Sequence, residues 1–168
     1  MSTVIDGSNS VTINSGAVLG ITSGTAVAST SGTSIDFTGI PSWVKRITVM
    51  FNGVSTNGSS NTQIQIGSGS FVTTGYVSTV GGAGTATATT GFVNGIGYVA
   101  SDSRSGAITL SLLGSNIWVA SGVITSATAP EYSAGNSPAL GGTLDRIRIT
   151  TVNGTDTFDA GSVNILYE

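Results

Sequence analysis

The sequence predicts an all-β protein, namely an antiparallel β-sandwich of the jelly-roll kind with an extended N-terminal β arm. The β-branched residues Val, Ile and Thr recur in short runs along the chain, and they fit a pleated surface well. Charged residues make up only 8% of the chain, so the strong helix formers Lys, Glu and Arg are scarce. Twenty-five glycines and many Ser and Thr residues separate the apolar runs, as turns separate short strands. A chain of 168 residues has room for one domain with a short extension.

An arm or shaft is predicted over residues 1 to about 32. Its apolar residues come in small groups between turns, and the dipeptide Ser-Gly recurs every eight residues, at Ser15, Ser23 and Ser31. This spacing indicates either a β-repeat or an ordinary irregular arm. Strands this short cannot bury their apolar side alone, so we expect the arm to dock on other proteins or on identical chains.

A β-sandwich domain is predicted over residues 33–168, with the boundary just before Thr33. Pro41 restricts Ile40 to extended conformations, and a long strand follows. Several segments beyond it alternate apolar and polar residues, which indicates one face in the core and one in water. Eight strands are expected, over residues 44–54, 63–66, 71–80, 92–99, 107–113, 117–124, 144–152 and 163–167.

Two connections look long enough to be loops that present a surface. Residues 81–91 are almost wholly Gly, Ala and Thr, and residues 127–142 contain Pro130, Glu131 and Tyr132. Gly and Pro are typical of turns because of their backbone geometry. We expect these two loops to be the variable, contacting parts of the domain.

The composition excludes several classes of function. Without His or Cys the chain cannot form a Ser-His-Asp triad, a Cys-His pair or a common zinc site, so we expect no catalysis, no cofactor and no metal. Five basic residues and a net charge of -3 do not favour nucleic acid as a partner. The apolar runs are too short for membrane insertion, and the start lacks a signal peptide, so we expect synthesis in the cytoplasm.

Carboxylate chemistry is the kind that remains, and Asp156 and Asp159 are the one close pair of acidic residues. One interpretation is a catalytic or calcium-binding loop. The other, which we expect, is a turn whose Asp side chains accept hydrogen bonds from nearby backbone amides. Calcium takes about six to eight oxygen ligands, and no acidic loop in the sequence has the residue spacing of an EF-hand calcium loop.

The candidate ligand contacts are mainly aromatic, because aromatic rings can stack on sugars. Tyr132 lies in a polar segment and is the best candidate. Its neighbour Glu131, together with Tyr98 and Tyr76, completes the set. We expect a ligand to meet these side chains at the surface.

Other conspicuous residues have structural interpretations. Trp43 and Trp118 flank predicted strands, so we expect them in the core or at its rim. Arg146 and Arg148 share one face of a strand, which we expect to be solvated, although a pairing with acidic neighbours such as Asp145 is an alternative.

Two stretches carry a resemblance to a known class of proteins: residues 35–51 (IDFTGIPSWVKRITVMF) and residues 145–168 (DRIRITTVNGTDTFDAGSVNILYE). They resemble the distal domains of tail-fibre and related virion proteins of tailed bacteriophages, over about residues 31–168. The resemblance implies a virion component, a homotrimer, that is displayed outward and binds the host surface or the capsid lattice. It carries over no residue roles.

Three functions are therefore expected to compete. The first is a tail-fibre or receptor-binding module, whose arm meets other virion proteins and whose loops meet a polysaccharide or protein of the host surface. The second is a capsid decoration protein that stabilises the phage head. The third is a carbohydrate-degrading enzyme using Asp156 and Asp159. A bacterial adhesin or a spore-coat protein is a further alternative.

Overall fold

The computed structural model of the chain describes residues 4–5, 11–13, 16–18, 20–97, 99–127 and 129–168. Every regular element in this part of the chain is a β-strand, and the paired strands run antiparallel. The predicted all-β antiparallel fold is therefore confirmed. Within the same residues, no helix is long and apolar enough to cross a membrane.

The strands, in chain order, are β1 (Val4–Ile5), β2 (Val11–Ile13), β3 (Gly16–Val18), β4 (Thr22–Ser23), β5 (Val27–Ala28), β6 (Ser34–Thr38), β7 (Arg46–Thr56), β8 (Thr62–Ser68), β9 (Ser70–Phe71), β10 (Val77–Gly81), β11 (Thr85–Ala88), β12 (Phe92–Val93), β13 (Arg104–Gly114), β14 (Ile117–Thr125), β15 (Pro130–Asn136), β16 (Arg146–Thr151) and β17 (Phe158–Tyr167).

Two sheets pack face to face as a β-sandwich. The larger has nine strands in the order β11-β10-β15-β14-β13-β7-β17-β4, with β5 also paired to β17. The smaller has five strands in the order β12-β8-β16-β6, with β9 also paired to β8. Strands β1, β2 and β3 form a separate three-stranded sheet.

Alternating apolar residues of the two sheets form the core between them. The larger sheet contributes residues such as Ile47, Val49 and Ile108, and the smaller contributes Ile64 and Ile149, all fully buried. Because side chains alternate across a strand, the residues between them face outward. Trp118, with an exposed fraction of 1%, lies in this core as predicted.

The segment before Thr33 joins the larger sheet in part. β4 pairs with the end of β17, where Tyr167 lies opposite Thr22, and β5 pairs with its middle, where Val163 lies opposite Val27. The division of the chain into an arm over residues 1–32 and a sandwich over residues 33–168 stays a prediction. Ser15, in the first copy of the Ser-Gly repeat, lies outside the described residues.

The two loops expected over residues 81–91 and 127–142 are corrected by the structure. Seven residues of the second, Pro130–Asn136, form strand β15, which lies between β10 and β14 in the larger sheet. Its inward positions are Glu131 and Ser133, so it lacks the apolar alternation that predicts a strand. Four residues of the first, Thr85–Ala88, form strand β11, whose buried inward residue, Ala88, is small. Neither strand was predicted, because polar or small side chains stand at the inward positions where the alternating pattern of a strand has Val or Ile.

Two predicted strands are shorter than expected. The strand predicted over residues 71–80 is divided into β9 and β10, with Tyr76 between them. The strand predicted over residues 92–99 is reduced to β12. Glycines interrupt both segments, and Gly75 and Gly97 have positive φ angles of 84° and 61°, which strand geometry does not allow.

Candidate functional site

The strand register places several connections at one end of the sandwich, which we call the loop end. Val54 lies opposite Arg104, and Thr125 lies opposite Pro130. The described parts of the connections at this end are therefore residues 57–61, 82–84, 94–97 with 99–103, 126–127 with 129, and 152–157. At the opposite end, which we call the entry end, Thr22 pairs with Tyr167.

A cleft of about 390 Å³ opens at the loop end. The two segments that the sequence singled out as contacting parts both line it. The first contributes Gly84 and Thr85, and the second contributes Ala129 and Glu131. The structure thus brings together two regions that are separate in the sequence, although each is partly strand.

A buried ion pair forms the floor of the cleft. Arg104 Nε and Nη2 each lie 3.2 Å from a carboxylate oxygen of Glu131, and the two residues have exposed fractions of 2% and 5%. Arg104 Nη1 lies 3.1 Å from Oδ2 of Asp102, at the rim. Arg104 Nη2 also donates to the carbonyl of Ile96, 2.9 Å away. The guanidinium therefore ties one wall of the cleft to its floor.

The cluster carries one more negative charge than positive charge, because one guanidinium lies between two carboxylates. Both carboxylate oxygens of Glu131 accept hydrogen bonds from Arg104. What the cleft offers to a ligand is hydrogen bonding, from Asp102 at the rim and from neutral groups such as Asn61, Thr85 and Ser126. This arrangement suits recognition of a small polar group.

The four predicted ligand contacts have different positions. Tyr132 is on strand β15 and not in a loop, with an exposed fraction of 59%. Glu131 is its neighbour but points inward, since successive side chains alternate across the sheet. Tyr76 is buried, with an exposed fraction of 1%. Tyr76 is therefore not a surface contact, Glu131 meets the cleft only from its floor, and Tyr98 lies outside the described residues.

Tyr76 is part of the core, where its hydroxyl satisfies backbone groups. The hydroxyl accepts a hydrogen bond from the Ile66 amide at 2.9 Å and donates to the Val72 carbonyl at 3.0 Å. Its ring meets that of Phe92 edge to face, with the centroids 5.1 Å apart. Burial raises the pKa of Tyr76 to about 12.

Asp156 and Asp159 have different surroundings. Asp156 accepts hydrogen bonds from the Ser60 amide at 2.9 Å and from Nδ2 of Asn153 at 2.6 Å. Asp159 lies on β17 with its side chain exposed. Asp156 thus joins two connections of the loop end. The nearby turn amides, of Thr155 and Asp156, donate to Asn153 Oδ1 and not to an Asp side chain as the turn interpretation expects. Among the residues that the structure describes, no group of three or more acidic side chains could hold a metal ion.

Outward-facing side chains of β10, β13, β14 and β15 form a second surface, which we call the uncharged face. None of these outward-facing residues carries a charge. Several exposed apolar residues lie on this face: Val77, Val119, Val123 and Tyr132. Cross-strand pairing places Tyr132 directly opposite Val123, so the apolar residues are neighbours on the sheet.

Arg104 is the residue of the cleft that the sequence did not single out. It counted only as one of five basic residues. The signal that could have found it is Glu131, the one charged residue of its segment. If Glu131 takes an inward position on a strand, its carboxylate needs a buried cation such as Arg104.

Comparison of the chain with family models, with curated proteins and with solved structures finds no match.

Proposed function

We propose that this chain is a surface-exposed structural protein of a bacteriophage virion, and that it acts in a tail fibre as a module that binds the host cell surface. In this role it performs no catalysis. The N-terminal segment meets other virion proteins, and the loop end faces the host.

The observation that carries the proposal is that the two ends of the sandwich differ. The described chain enters the larger sheet at the entry end, where Thr22 lies opposite Tyr167. The cleft and five connections lie at the other end. A module attached through its N-terminal segment would therefore project its cleft away from the attachment point, as receptor binding requires.

The segments that carry the resemblance to tail-fibre domains belong to one structural unit. Strands β6 and β16, from the two stretches, are neighbours in the smaller sheet. Strands β7 and β17, again one from each stretch, are neighbours in the larger sheet. The resemblance therefore covers paired strands in both layers, which supports its extension to the whole sandwich.

Self-association as a homotrimer is part of the proposal, and the uncharged face supports it. Exposed apolar residues that cluster on a surface without charge are typical of protein interfaces. Val123 and Tyr132 have exposed fractions of 43% and 59% and lie side by side. We therefore place Tyr132 at a contact between copies of the chain, and the host contact at the loop end.

Competition for adsorption tests the proposed function. Host cells are incubated with the purified chain, and the rate of phage adsorption is then measured. The wild-type chain should lower the rate, and the variant Ala129→Trp, which fills the cleft, should lower it less. Ser42→Trp is the control, because Ser42 is exposed in the connection between β6 and β7 at the entry end. A chain that neither binds the cells nor slows adsorption would overturn the receptor-binding role.

A further inference from the structure

A polar groove of about 310 Å³ lies on the outward face of the five-stranded sheet, beside the loop end. It belongs neither to the cleft nor to the uncharged face. Amides, hydroxyls and one guanidinium line it, among them Gln63, Gln65, Thr73, Thr90, Arg148 and Thr150.

The floor of this groove is sheltered although it faces away from the core. Gln63 and Gln65 alternate with the core residue Ile64, yet their exposed fractions are only 2% and 6%. Gln65 Nε2 donates to the Thr90 carbonyl at 2.9 Å, and the Thr90 hydroxyl donates to Gln63 Oε1 at 2.8 Å. These bonds fix the two amides in one orientation, so the floor is preorganised for hydrogen bonding.

Arg148 is held rigidly in the same groove. Its Nε and Nη2 donate to the two carboxylate oxygens of Asp36, at 2.8 Å and 2.7 Å. Its Cζ lies 4.1 Å from the centroid of the Phe71 ring. Since the pair with Asp36 uses Nε and Nη2, the Nη1 edge of the guanidinium is the edge that can meet a ligand.

We propose that this groove binds an uncharged oligosaccharide, as a second site beside the cleft. The side chains that line it both donate and accept hydrogen bonds, which matches the hydroxyl groups of a sugar. Asp36 balances the charge of Arg148, so the groove has no excess charge to attract a phosphate or a sulfate. The choice of a sugar as ligand rests on the proposed function, that is, on host-surface binding.

Binding of the purified chain to immobilised neutral and acidic oligosaccharides, compared on one array, tests this inference. Neutral oligosaccharides should bind, and Thr73→Trp, which fills the groove, should reduce their affinity at least tenfold. Thr74→Trp is the matched control, because Thr74 is also exposed and does not line the groove. Arg148→Lys keeps the charge but loses the planar edge, and it should weaken binding while thermal unfolding stays near that of the wild type.

The outcomes separate the inference from the proposed function. Neutral-sugar binding that survives Thr73→Trp, or binding of acidic sugars alone, overturns the groove as the site even if the chain occurs on virions. Absence of any sugar binding also overturns it. Failure of the chain to bind host cells overturns the receptor-binding role, whatever the array shows. A loss of sugar binding that is confined to the groove variants supports the inference.

Discussion

Arg104 and Glu131 form a bidentate ion pair in the interior of the sandwich, with both nitrogen to oxygen distances at 3.2 Å. The pair joins strand β13 to strand β15, and the hydrogen bond from Arg104 to Ile96 joins both to a wall of the cleft. Because charges are costly to bury alone, each partner depends on the other. The shape of the loop end therefore rests on this contact.

Removal of one partner of this ion pair should destabilise the fold strongly. Glu131→Ala leaves the guanidinium buried without its main partner, so we expect a loss of about 3–5 kcal/mol in the free energy of unfolding. Asp102→Asn should cost less, about 1 kcal/mol or below, because Asp102 is partly exposed at the rim. Urea denaturation measures both values. The double variant Arg104→Met with Glu131→Leu should unfold near the wild type, and a double variant as unstable as Glu131→Ala would contradict this account.

Tyr76 should make the fold sensitive to alkaline pH. Its pKa is about 12 in the folded chain, and about 10 is usual for an unfolded tyrosine. The folded chain therefore holds more protons than the unfolded chain above pH 10. The contribution of Tyr76 to the free energy of unfolding is complete below about pH 10. About 2–3 kcal/mol of that free energy is lost as the pH rises through 12.

Tyr76→Phe is the variant that isolates this effect. In the variant, the free energy of unfolding should depend less on pH between about pH 10 and 12. At neutral pH the variant should lose about 1–3 kcal/mol of that free energy, because the Ile66 amide and the Val72 carbonyl lose their partner. Denaturation between pH 7 and pH 12 checks both effects. An identical alkaline decline in the variant would show that Tyr76 is not its source.

Gly161 should not tolerate a side chain. Its φ is +91°, and a Cβ there would lie 2.3 Å from the Gly53 carbonyl oxygen, at a point where the register between β7 and β17 shifts. Gly161→Ala should therefore lower the free energy of unfolding by at least about 2 kcal/mol. At Gly81 a Cβ would meet nothing within 4 Å, so Gly81→Ala should unfold near the wild type. Equal stabilities of the two variants would contradict the close approach.

Val123 tests the assignment of the uncharged face. If the chain forms the proposed trimer, Val123→Asp places a charge in the middle of the contact between copies, and analytical ultracentrifugation should then find a trimer for the wild type and monomers for the variant. Val152→Asp is the matched control, since Val152 has a similar exposed fraction, 41% against 43%, and lies in the connection after β16. A trimer that persists in Val123→Asp would remove this face from the interface.

The sequence predicts the layers of this fold well, because they rest on alternating apolar residues. Ile64 with Ile66, and Ile147 with Ile149, alternate with polar residues, and all four are fully buried in the core. Strand β15 was missed for a physical reason. The interactions that hold its inward side, from Glu131 to Arg104 and from the Ser133 hydroxyl to the Val93 carbonyl, join residues far apart in the sequence.

The candidate site was predicted only in part. The segments that line the cleft, around Gly84 and Ala129, were singled out because they are rich in turn residues. The two segments come together because of the order of strands in the sheet, and a local sequence pattern does not specify that order. Tyr76 was misplaced because a tyrosine between two glycine-rich turns has the same local sequence whether its ring points inward or outward.

The central claim is that the chain belongs to a phage tail fibre, and immunogold labelling of purified particles of the proposed phage tests it most directly. The antibody is raised against the purified chain, and the Val123→Asp monomer serves to check that it recognises single copies. We predict gold at the distal ends of the tail fibres. Gold over the heads alone would contradict the tail-fibre role and favour capsid decoration, and particles without gold would contradict a place in the virion.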